Sequence, residues 1–112
     1  MKRTAALEAL VNISMPLSES LARLAEFPWD CESELVLLTP QHFSHVLSLF
    51  KQGALSAADV ENWANALECR DDVGFSTSQA HELLHELANP LLTQPLSGER
   101  AEYWLSQLPH GR

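Results

Sequence analysis

At 112 residues the chain has room for one ordinary domain and not two, and 46 % hydrophobic residues are enough to close a helical core without disulfide or metal staples. Its formal charge of −8, from fifteen acids against seven bases, disfavours phosphate backbones and anionic lipid as ligands of the whole surface and favours a basic partner, while also serving plain solubility. No run approaches the roughly 18 apolar residues that span a bilayer, and Cys31 and Cys69 lack the spacing of a redox pair, so a soluble cytosolic protein of bacterial type with reduced thiols is expected.

The opening MKRTAALEALVNISM begins with positive charge as a secretory segment does, but Glu8 and Asn12 interrupt its apolar stretch and no small-residue cleavage pattern follows. It reads as a helix over about residues 4–11, followed after Met15-Pro16 by a second over about 18–27. Trp29, between Pro28 and Asp30, falls in a connection and is a candidate exposed anchor; the competing role is a lid over the two helices. Residues 35–38, Leu-Val-Leu-Leu, fit a buried helical turn or a short strand. Helix is favoured, because no second β-branched or alternating run offers a partner strand.

Thr39-Pro40 joins an N-cap to a proline at the first helical position, where its missing N–H costs nothing. Phe43, Val46, Leu47 and Phe50 supply the buried stripe of a helix over about 40–52, and Gly53 a left-handed stop. His42 and His45, three apart on that helix, can approach one another, and with Cys31 or Cys69 would make a mixed zinc site that lacks a close cysteine pair to anchor it. Ser56 caps the next helix with Asp59 as reciprocal cap and Leu55 stapled on Val60; Val60, Trp63, Ala64 and Leu67 face inward. Glu68-Cys69-Arg70-Asp71-Asp72 follows as the densest charge cluster. Acids at a helix C-terminus oppose the dipole, so they serve either to cap the turn around Gly74 or to meet a basic partner; Cys69 reads as a small buried residue.

A further helix is expected over about 78–89 with Ala80, Leu83, Leu84, Leu87 and Ala88 as its apolar face, His81 and His85 at the border of that stripe, and Glu82 and Glu86 opposite it. The apolar 90–95 stretch is expected to lie on the core. Ser97 then caps a last helix carrying Ala101, Trp104, Leu105 and Leu108, with Leu96 as staple on Ala101.

His81-Glu82-Leu83-Leu84-His85 matches H-E-x-x-H and over these five residues resembles the zincin metallopeptidases. That resemblance implies His81 and His85 as zinc ligands and Glu82 as the base acting on metal-bound water. The surrounding sequence departs from it. Pro90, Leu91 and Leu92 stand where the extended motif carries a further ligand, Glu99 or Glu102 is left to complete a three-ligand site at a spacing that does not match the usual pattern closely, and no sheet can be read to present substrate. The competing role for both histidines is to cover apolar surface while keeping a ring nitrogen wet.

The sequence thus points to an all-α domain of five or six short helices spanning 1–112, its extreme termini frayed. The leading functional expectation is a small acidic protein-binding module without cofactor, an immunity- or antitoxin-like inhibitor of a basic toxin or nuclease, whose surface is contributed by Trp29, Glu61, Glu68, Asp71, Asp72, Glu82 and Glu86. Its general shape resembles that of helical immunity proteins. The alternatives are a zinc hydrolase built on His81, Glu82 and His85, and a homodimer or assembly subunit in which the 90–95 segment forms a self-complementary patch.

Overall fold

Ser56 Oγ accepts from the Asp59 N–H at 3.0 Å and the Asp59 carboxylate accepts from the Ser56 N–H at 2.9 Å, so two donors that a helix start leaves unpaired are satisfied reciprocally. Helix α4 (Ala57–Leu67) begins there. The computed structural model describes residues 2–28 and 30–108; Trp29 and the frayed ends expected from the sequence lie outside them. Before α4 come α1 (Arg3–Asn12), α2 (Leu17–Leu24), a short strand β1 (Val36–Leu38) and α3 (Pro40–Lys51); after it come β2 (Val73–Phe75), α5 (Ser78–Ala88) and α6 (Gly98–Gln107). Thr77 and Ser97 cap α5 and α6, accepting from Ala80 and Arg100 at 3.0 and 3.1 Å. Gly53 carries φ +83° after α3, the left-handed stop its sequence position called for.

Helices α1, α3, α4 and α5 enclose the core. Trp63 is fully buried; its indole N–H donates to Leu10 O at 2.8 Å, tying α4 to the end of α1, and Phe43 from α3 meets its ring edge-on at 5.7 Å. Leu7, Leu47, Leu67, Leu83 and Leu84 fill the space around that pair. Trp104 and Ala101 bring α6 onto the same core.

The protein is mostly helical but not all-α. Residues Val36, Leu37 and Leu38 form a strand, contrary to the helical expectation, and pair in parallel with Val73, Gly74 and Phe75. The crossover between the strands contains both α3 and α4. Three-residue strands are too short to show alternation, and a parallel partner can lie far away in sequence, so neither strand announces the other. Residues 90–95 also depart from expectation: Leu91 and Leu92 project into solvent, 99 % and 79 % exposed, rather than lying on the core. No helix of the described residues is long and apolar enough to cross a membrane.

Candidate functional site

Parallel pairing aligns the starts of the two strands, and both are preceded by acidic chain. Leu35 N–H donates to Asp72 O at 2.8 Å, so the segment carrying Asp30, Glu32 and Glu34 enters the sheet beside the one carrying Glu68, Asp71 and Asp72. Asp30, Glu32, Glu34 and Asp71 are exposed. Glu34 folds over Gly74, where an added Cβ would collide with its carboxylate.

The bases of this corner are turned inward. Arg70 grips Asp72 with Nε to Oδ1 at 2.9 Å and Nη2 to Oδ2 at 3.1 Å, and also donates to Pro28 O at 3.0 Å. Arg3 donates to the same carbonyl at 2.9 Å, and its Nε lies 3.5 Å from Asp72 Oδ2, an ion pair without hydrogen-bond geometry. Asp72 is therefore not surface acid: it is completely buried, an internal counter-ion that joins α1, the 28–35 connection and the start of β2. Burial of one carboxylate with two guanidiniums leaves the exposed remainder of the corner negative. Over the described residues, ten of the fifteen acids are exposed, against Lys2, Arg23 and Lys51 among the bases.

Glu86 is the second correction to the expected acidic surface. Instead of pointing away from the core it accepts from Arg100 Nε at 2.8 Å, Arg100 Nη2 at 2.7 Å and the Trp104 indole at 2.9 Å. Arg100 in turn lies over the rings of Tyr103 and Trp104 at 4.5 and 5.3 Å. Burial pushes the Glu86 carboxyl up, but the hydrogen bonds from Arg100 and Trp104 and the guanidinium charge outweigh it and hold the group below its ordinary value; the same bond raises Arg100. Arg100 and Trp104 thus tie α6 to α5 at Glu86. Glu82 is exposed and Glu61 half-buried.

The two histidines of H-E-x-x-H engage different neighbours. His85 Nδ1 lies 3.0 Å from Glu68 Oε2, and Asn89 Nδ2 donates to both oxygens of Glu68 at 3.1 Å, so Glu68 bridges the end of α4 to the end of α5. The His81 ring packs edge-on against Phe75 at 4.7 Å. Both histidines, with Cys69, line a cavity of about 280 Å³, but no group of three or more His, Cys, Asp or Glu side chains among the described residues is placed to hold a metal ion. Cys69 is exposed rather than buried, and its backbone takes φ +67°. On α3 the histidine at position 42 serves its own helix: the Thr39 N–H donates to His42 Nδ1 at 3.1 Å. Burial, and then the neighbouring His45, lower its pKa, which suits a ring nitrogen that must accept.

The inward bases carried a sequence signal that went unread. Arg70 and Asp72 stand two residues apart, in the turn that Val73 N–H closes on Arg70 O, so their opposite charges are near neighbours in the sequence itself. Nothing local identifies Arg3 or Pro28 O as the remaining members. Comparisons with protein-family models, with curated proteins and with solved structures give no match for this chain.

Proposed function

We propose that the protein is a small acidic binding module whose ligand is a basic protein, engaged at the strand-start corner formed by Asp30, Glu32, Glu34 and Asp71. The observation that carries this reading is the inward engagement of Arg3 and Arg70 on Asp72 and Pro28 O, beside four acids left exposed. A corner arranged only for solubility would gain from interspersed charges of both signs. Separating them, with bases inside and acids outside, makes a one-signed field that steers a cationic partner and rejects anionic ones. Trp29, next to Asp30 in sequence and outside the described residues, is the aromatic anchor that this reading proposes. Glu61, Glu68 and Glu82 add to the net negative charge of the protein, and neither nucleic acid nor an anionic membrane suits such a field as a ligand. Inhibition of a basic toxin or nuclease in the cytosol is the role in which fast, charge-driven capture is most useful.

The test is capture from lysate of the source cell on immobilised wild-type protein and on a D30N/E32Q/E34Q/D71N variant, at low salt, with bound proteins identified by mass spectrometry. Basic proteins retained by the wild type and lost from the variant support the reading. Equal retention on both surfaces, or none on either, contradicts it.

A further inference from the structure

We infer that the α5–α6 loop is the seam of a two-fold homodimer, in which Leu91 and Leu92 of each copy enter the apolar cavity beside the same loop of the other. This surface is distinct from the acidic corner. Leu91 and Leu92 stand 99 % and 79 % exposed, yet the turn that carries them is held firmly. Leu92 N–H and Thr93 N–H both donate to Asn89 O, at 3.1 and 3.0 Å, and Thr93 Oγ1 reaches Asn89 O at 2.8 Å and Glu86 O at 3.1 Å. A loop fixed by its own hydrogen bonds presents its leucines with little left to lose in ordering, which is what a preorganised contact requires.

A receptor for them lies alongside. Ala57, Ala58, Val60, Leu87, Pro95 and Leu96 line a cavity of about 230 Å³ that also touches Pro90. An apolar cavity of roughly 150 Å³ already accommodates a group the size of benzene, so a leucine side chain has room. Plug and socket share the prolines at either end of the loop, hence one face of the chain holds both halves of the contact. When both halves lie on one face, a two-fold axis lets each copy satisfy the other and closes the assembly at two.

Charge selects a second copy over the basic partner of the acidic corner. Two chains of −8 repel wherever carboxylates face each other. The twelve residues 87–98, between Glu86 and Glu99, contain no ionisable side chain, and Glu86 at the cavity is already neutralised by Arg100. A cationic ligand finds nothing to attract it there, whereas a like-charged copy meets least opposition. Glu61 is the other carboxylate that lines the cavity, and the two copies must keep it in solvent.

Sedimentation equilibrium of the full chain tests this with three proteins: wild type, a plug variant L91S/L92S and a socket variant A58E. Glutamate in the first turn of α4 is favoured by the helix dipole, so A58E blocks the socket without endangering the fold. Wild type is expected as a dimer of twice 12.5 kDa, tightening as salt rises, with each variant alone weakened about 100-fold or more. An equimolar mixture of the two variants restores one of the two reciprocal contacts and is expected to associate more tightly than either variant alone. Wild-type monomer at every concentration and salt overturns the proposal, as does a dimer that persists in both variants.

Discussion

Arg70 and Asp72, two residues apart, form a bidentate pair at 2.9 and 3.1 Å from which water is excluded, Asp72 being completely buried. Such a pair stabilises little relative to an apolar replacement, but breaking it strands a buried charge. Asp72→Ala is therefore expected to cost about 3–5 kcal/mol in urea denaturation. Exposed Asp71→Ala should stay within about 0.5 kcal/mol of wild type, like most surface changes. Equal costs at the two positions would contradict the assignment of one acid to the interior and the other to the surface.

The Glu86 carboxyl, depressed below its reference of 4.5 in the fold, contributes stability that is fully present above that value and lost as pH falls through its folded pKa. Thermal unfolding should show this loss below about pH 4.5. Glu86→Gln keeps the shape but does not titrate, so it should be less stable near neutrality, by about 2 kcal/mol for the charged hydrogen bonds weakened, and flatter on acidification. A variant with the wild-type slope would place the acid sensitivity elsewhere.

His42 gives a second pH window, higher than the first. Its folded pKa lies below 6.5, so its contribution holds above 6.5 and declines as pH falls through the folded value, when protonation ends acceptance of the Thr39 N–H. Glutamine at the third helical position completes a capping box without titrating. His42→Gln is expected to match wild type near pH 8 and to exceed it near pH 5, by about 1 kcal/mol, the worth of a cap. Chemical denaturation at the two pH values decides it; equal stability at both would contradict a titrating cap.

Cys69 carries φ +67°, a conformation that costs a residue with a Cβ about 1 kcal/mol or more. Cys69→Gly should therefore unfold at higher temperature than Cys69→Ala, the two sharing loss of the thiol. The reverse order would mean that the left-handed backbone at this position carries no strain.

What the sequence made legible follows from the range of the forces involved. The starts of α3, α4 and α6 are written in Thr39-Pro40, Ser56 with Asp59, and Ser97, because a cap acts within one turn. Trp63 and Trp104 were legible as core from helical periodicity, and both are buried. The strand pair was not, since Val36 and Val73 meet only after two intervening helices bring them together. Asp72 and Glu86 are expected on the surface from local sequence because an acid's partners decide its burial: Arg70 stands near Asp72 in the chain, but Arg3 and Arg100 lie far from the acids they meet. The 90–95 segment was expected inside on hydrophobicity alone; its hydrogen bonds to Asn89 and Glu86 instead fix a turn that aims the leucines outward.

The claim that the strand-start corner captures a basic protein is tested most directly by its association kinetics. For the basic protein recovered on wild-type surface, the association rate would be measured against wild type and D30N/E32Q/E34Q/D71N at low and at physiological salt. A rate that falls with salt for the wild type, and that drops about tenfold or more at low salt in the variant with dissociation changed less, is the expected result. A rate indifferent to salt and to the four substitutions would contradict it.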